Sequence, residues 1–169
     1  MRIGLISPYD LAVPGGVNSH VYHLAENFTA LGHHVRVIGP MSDLSRLTGN
    51  SIAIGKPLSI SAGGSIARMT MAPRLAKPVR RLLREESFDI VHVHEPLVSF
   101  LPIQFLRFSS AANVGTFHAA RDSRARIYVY TRRLLKGAFR RLDGKIAARE
   151  TAILPAPLPR LLQRHPQRR

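Results

Sequence analysis

Apolar and polar positions along the 169-residue chain fall into short runs and longer periodic stretches that take turns. Arg2 to Ser7 (RIGLIS) is an apolar run halted by Pro8, as a buried strand should be. Val17, His20, Val21, Leu24, Ala25, Phe28 and Leu31 then recur at intervals of three and four, which predicts an amphipathic helix from 17 to about 31 that Gly32 stops. HVRVI (34 to 38) reads as a second strand, ended by Gly39-Pro40. From Met41 to Ala67 the pattern breaks up around several glycines, with short β-type pieces at SIAI (51 to 54) and RMTM (68 to 71). This stretch reads as an irregular, strand-rich insertion.

Periodicity returns with Leu75, Val79, Leu82 and Leu83, which mark a helix. DIVHVH (89 to 94) is a strand closed by Pro96, and a further helix is expected through about 97 to 108. A strand over 113 to 117, a long basic helix with Ile127, Leu134, Leu135, Ala138, Phe139 and Leu142 on one face, and the strand GKIA (144 to 147) complete the pattern. Strands alternating with helices of this length imply βαβ units, hence an α/β fold with a parallel sheet covered on both faces. In such sheets ligands sit at the carboxyl ends of the strands.

Composition narrows the function classes. No segment supplies the roughly 18 to 20 uninterrupted apolar residues of a membrane span, and no secretory leader pattern opens the chain, so a cytoplasmic protein is expected. The absence of cysteine excludes disulfides, thiolate nucleophiles and cysteine zinc sites. Lys and Arg number 25 against 10 Asp and Glu, a formal charge of +15 that calls for an anionic partner such as a phosphorylated ligand, an acidic membrane surface or nucleic acid. A solvated helix face plus a basic tail is the alternative source of that charge. Nucleic acid is not expected, because aromatics are only 7% of the chain, tryptophan is absent, and Tyr128, Tyr130 and Phe139 are spaced for helix packing rather than for stacking bases.

At the predicted ligand edge three loops meet: PYDLAVPGGVNSH after the first strand, EP after DIVHVH, and HAARDS after NVGTF. Gly15 and Gly16 lack β-carbons, so a ligand could reach the main chain where a helix start offers free N–H groups to a negative group. A tight turn requiring positive φ would explain the same two glycines. G-x-G-x-x-G is missing and strand two ends in Ile38-Gly39-Pro40 with no acid for a ribose, which argues against a dinucleotide. His118 at the end of its strand is either a hydrogen-bond donor or weak base toward substrate, or a structural group. His92 and His94 share a strand face, and packing is the expected role, since no third metal ligand stands at a diagnostic spacing. Arg68, behind Ser65, either pairs with a phosphate or is solvated.

Together, "MRIGLISPYDLAVPGGVNSHVYHLAENFTALGHHVRVI", "FDIVHVHEP" and "VGTFHA" resemble the N-terminal domain of family-4 retaining glycosyltransferases of GT-B architecture. The phosphatidylinositol mannosyltransferase subgroup also resembles "GSIARMTMAP" (64 to 73). The resemblance implies a Rossmann-like doubly wound sheet over residues 1 to 147, forming the acceptor-side domain of an enzyme whose other domain holds the nucleotide sugar. It implies that Gly15 and Gly16 present main chain to the donor diphosphate and that His118 contacts the transferred sugar as the catalytic histidine. Tyr9, Asp10, Pro14, Asn18, Ser65 and Arg68 would line the acceptor side, with Arg68 meeting the lipid phosphate. Asn18 stands where the mannosyltransferases have glutamine. Lys77, Arg80, Arg81 and Arg84 would contact anionic membrane on the inner face of the cell membrane. The implied reaction moves a hexose, with GDP-mannose as expected donor, to a phosphatidylinositol-type lipid, and needs no cofactor and no metal if protein donors and cations stabilise the leaving diphosphate.

Residues 148 to 169 depart from the family. The last nineteen carry four prolines, four arginines and no acid, so an irregular tail is expected. The family motif Arg-Val-Ile-Pro-Asn-Gly-Val, read from GC-rich codons two bases late, gives Arg-His-Pro-Gln-Arg-Arg, the sequence of Arg164 to Arg169. A frameshift that removes the donor-binding domain, leaving an inactive half, is the expectation. The alternative function class is a small basic module that binds anionic lipid or RNA without catalysis.

Overall fold

The computed structural model describes residues 1–62, 65–118 and 137–148, with the side chains of Ala62, Ser65 and Pro73 left out of account. Among the described residues, eight strands and three complete α-helices follow in the order β1 (Arg2–Ile6), α1 (Gly16–Ala30), β2 (His34–Gly39), β3 (Ser51–Ala53), β4 (Leu58–Ala62), β5 (Ser65–Met69), α2 (Ala76–Glu86), β6 (Ile90–His94), α3 (Phe100–Phe108), β7 (Ala112–Phe117) and β8 (Gly144–Ala147). Six strands form one sheet in the order β3-β2-β1-β6-β7-β8, parallel throughout. The order reverses direction beside β1, between β1 and β6, which opens a crevice at the carboxyl ends of those two strands.

Alternation along the strands builds two cores. Ile3, Leu5, Val35 and Val37 pack with Val21 and Ala25 of α1. Ile6, Ile38, Val91, Val93 and Phe117 pack with Val79 and Leu82 of α2 and Leu101 and Phe105 of α3. Burying each such side chain contributes about 1.5–3 kcal/mol. Helix α1 ends at Gly32, whose φ of +82° lets the chain turn back into β2.

The stretch expected to be an irregular insertion is more ordered. Ser51–Ala53 is the edge strand of the main sheet, in parallel register with Val37 to Gly39. The other piece begins earlier than RMTM: β5 pairs antiparallel with β4 over Leu58↔Met69 to Ala62↔Ser65, forming a hairpin outside the main sheet. The β-type reading of SIAI is borne out, while its membership of the main sheet was not foreseen. The helix expected from 97 starts at Phe100, because 95 to 99 form a turn. Most of the long basic helix, and the tail from 149, lie outside the described residues.

Candidate functional site

The loop between β1 and α1 is fixed by its own polar groups. Ser7 Oγ donates to Asn18 Oδ1 at 2.7 Å, and Asn18 Nδ2 donates to the carbonyls of Asp10 (2.8 Å) and Val13 (3.0 Å). Asn18 thus ties the first turn of α1 back onto the loop, and both of its amide hydrogens are spent there. Asp10 is buried; its Oδ1 accepts from the N–H groups of Ser42 (2.9 Å) and Ala12 (3.2 Å), while Oδ2 has no hydrogen-bond partner among the described residues.

Between this loop and the β4–β5 hairpin lies a cavity of about 530 Å³, lined by Tyr9, Asp10, Pro14, Gly15, Gly16, Asn18 and Arg68 among others. Main-chain bonds hold its two walls together: Asp10 N donates to Arg68 O at 2.8 Å, and Tyr9 bridges to Met69. Of the seven expected acceptor or glycine positions outside Ser65, six come from the single stretch 9 to 18 and Arg68 from the distant hairpin, and all seven line this one cavity. The side chain of Ser65 lies outside the described residues.

Gly15 is the N-cap of α1, with φ −174° and ψ 153°, and no side chain caps the helix. That backbone is extended and open to any residue, so the turn explanation for Gly15 falls away. A β-carbon placed on Gly15 or Gly16 would meet nothing within 4 Å. Neither local conformation nor internal crowding therefore demands these glycines. The helix start carries no acid in its first turn, and it presents main-chain N–H groups and the positive end of the helix dipole to the rim.

Toward the same rim β6 and the end of β7 deliver three histidines, and α1 adds a fourth. His118 follows β7, and its backbone N–H donates to Glu95 Oε1 at 2.7 Å. Its Nε2 lies 3.0 Å from His94 Nδ1. His20, one turn into α1, sits edge-on to both rings, with centroids 5.5 Å from His94 and 5.1 Å from His118. His92 stacks beneath His94 at 4.5 Å and shares a 2.7 Å hydrogen bond with Thr116 Oγ1. Burial, reinforced by the neighbouring His20 and His118, lowers the pKa of His92 to about 4. The same burial, with the other three imidazoles, holds His94 well below the usual range and therefore neutral.

His92 packs within the sheet as expected. His94 does more, and the partner that spacing did not reveal is His20, which the helical period placed on the apolar face of α1. Glu95, placed by the sequence in the ligand-edge loop but given no role, is buried and holds a left-handed φ of 46°, a conformation uncommon outside glycine.

Lys77, Arg80, Arg81 and Arg84 are all exposed on α2. Arg80 lies over the Phe108 ring at 4.0 Å and Arg81 pairs with Glu85 at 2.6 Å, so two of these four cations have partners on the protein. Among the described residues no helix is long and apolar enough to cross a membrane.

Comparison with known proteins follows the same lines. The family model described as Glycosyltransferase Family 4 matches residues 14–152, a span that includes Gly15, Gly16 and His118. A phosphatidyl-myo-inositol mannosyltransferase from Mycobacterium leprae is 37% identical over 152 residues, covering 90% of this chain and 40% of that protein. Its counterpart from Mycolicibacterium smegmatis is 34% identical over 152 residues and is covered to 39%. The chain thus spans about two fifths of the length of the curated relatives it matches. Among solved structures, Acinetobacter baumannii MurG superposes with a TM-score of 0.57 at 13% identity, over 92% of this chain and 43% of that one, a likeness of fold. The sheet order, the paired glycines at the first helix start and the match over most of the sequence agree, and the chain belongs to glycosyltransferase family 4, with the Rossmann-like fold of a GT-B N-terminal domain.

Proposed function

We propose that this chain forms the acceptor-side half of a retaining glycosyltransferase that moves a hexose, mannose from GDP-mannose, to a phosphatidylinositol-type lipid at the cytoplasmic face of the membrane. The observation that carries the reading is the pair Gly15 and Gly16, bare of side chains at an uncapped helix start where the protein itself leaves the space open. What needs that space is a ligand. Cleavage of the sugar–phosphate bond leaves growing negative charge on the diphosphate, and fixed N–H donors stabilise it without reorganising. His118, on the same rim, is placed to hydrogen-bond the transferred sugar. The mannosyltransferase names of the relatives support the donor and acceptor classes.

The cavity suits a polyol phosphate. Asp10 Oδ2, buried and unpartnered among the described residues, is an acceptor for a ring hydroxyl, and Arg68 supplies a cation for the phosphate. Asn18 serves by holding the loop rather than by donating to the acceptor, since its amide hydrogens are already engaged. On α2, Lys77 and Arg84, with Arg80 and Arg81, supply the attraction to anionic lipid.

Pyrophosphate titrated into the isotope-labelled chain tests this. The amide signals of Gly16, Val17 and Asn18 are expected to move first, and the chain is expected to sediment with phosphatidylinositol vesicles but not with neutral ones. Spanning two fifths of its relatives, the 169-residue polypeptide alone should transfer no label from GDP-mannose. Shifts confined to scattered basic residues, with those three amides unmoved, would overturn the reading.

A further inference from the structure

The three imidazoles of His20, His94 and His118 offer one nitrogen each, and these nitrogens all lie within 4.8 Å of one another. Each comes from a different element: α1, the last residue of β6, and the residue after β7. We propose that these three histidines form a binding site for a borderline divalent cation of the Zn²⁺ class, with its fourth position open to the cleft. The proposal stands apart from the glycosyltransferase reading, because it needs neither donor nor acceptor.

The donor set decides the chemistry. Neutral imidazole is a ligand for Zn²⁺ and its neighbours in the first transition row, whereas Mg²⁺ and Ca²⁺ prefer oxygen. His94 is fully buried, so its ring is held in place at the floor of the site. Its Nδ1 faces His118, and its ring stacks between those of His92 and His118. Zn–N bonds of about 2.0–2.1 Å in a tetrahedron place nitrogens roughly 3.3 Å apart. The 3.0 Å separation of His94 Nδ1 and His118 Nε2 is already near that value, and rotation of His20, which is only partly buried, brings in the third nitrogen. Glu95 Oε1, which accepts from the backbone N–H of His118, fixes that residue beside the site.

The test is a titration of the chelator-stripped chain with Zn²⁺ against a fluorescent zinc indicator, with Mg²⁺ in parallel. One Zn²⁺ per chain is expected at this site, with no response to Mg²⁺. His20→Ala and His118→Ala should each weaken it at least about tenfold. His23→Ala, an exposed histidine of the same helix, should leave it unchanged. Equal affinity in His20→Ala and the unsubstituted chain, or equal loss in His23→Ala, overturns the site. X-ray absorption at the zinc edge of the unsubstituted chain decides the matter even if a variant misfolds: three imidazole ligands support the site, and fewer overturn it.

Discussion

Strands β6 and β7 present two chemistries from alternate residues of the same ten or so positions. Toward α2 and α3 they turn Val91, Val93 and Phe117, at most 2% exposed. Toward the α1 side they turn His92, His94 and Thr116, equally buried but polar, joined to one another and to His118. A parallel strand covered on both faces ordinarily reads as a continuous apolar run. The first face is a core in the usual sense; the second keeps polar groups inside at a cost to stability and leads them, strand end first, to the rim that carries Gly15 and Gly16. The difference teaches that here stability and chemistry are separated by the two-residue period of a strand.

Truncating the apolar face should show the largest effect. Phe117→Ala is expected to cost about 3–5 kcal/mol in urea unfolding, through lost burial and the cavity left against Leu142 and Phe139. His94→Leu, by contrast, removes a polar ring whose Nε2 has no partner among the described residues, and should remain within about 1.5 kcal/mol of the unsubstituted chain. A cost for His94→Leu as large as that of Phe117→Ala would erase the distinction between the faces.

Of the two faces of these strands, acid should act on the polar one. His92 titrates near pH 4 in the folded chain, chiefly because burial disfavours its charged form, against about 6.5 when unfolded. Between those values the unfolded state binds more protons, so stability is unpenalised above pH 6.5 and falls as pH drops toward 4. The loss from this one group is about 3 kcal/mol by pH 4, and His94 adds to it in the same direction. Unfolding measured from pH 7 to 4 with chelator present should show this slope. In the double variant His92→Leu with Thr116→Val, which replaces both hydrogen-bond partners, the slope should flatten by about one proton. An unchanged slope would mean that the acid sensitivity originates elsewhere.

How much of this was legible in the sequence follows from which interactions are local. The period-two and period-3.6 patterns placed β1, α1, β2, α2, β6 and β7 to within a few residues, because each pattern is set by neighbours in the chain. SIAI (51 to 54) was readable as a β-type piece, but its place as the edge of the main sheet was not, since its partner is β2 and three residues carry no signal of what they pair with. Within the site, Gly15, Gly16 and His118 could be found by their positions at strand ends. His20 could not, for a histidine on the apolar stripe of a helix looks like packing until the fold brings β6 and β7 beneath it. The engagement of Asn18 was equally out of reach, because its three hydrogen bonds go to a loop whose path no local signal specifies.

Two glycines sharpen the comparison at the smallest scale. At Gly39, near the end of β2, an added β-carbon would lie 2.9 Å from Leu11 Cγ and 3.2 Å from both its methyl carbons, so the buried Leu11 would have to move. Gly39→Ala should therefore cost about 1–3 kcal/mol through overpacking. At Gly15 the same carbon meets nothing within 4 Å and the backbone is extended. Gly15→Ala should cost no more than about 1 kcal/mol, the N-cap preference for Gly over Ala being partly offset by a less flexible unfolded chain. Thermal unfolding of the two variants side by side checks this. A glycine that the fold does not need, beside one that it does, is the mark of a position reserved for something outside the chain. If Gly15→Ala proves as damaging as Gly39→Ala, Gly15 belongs to the scaffold and the case for an approaching phosphate loses its support.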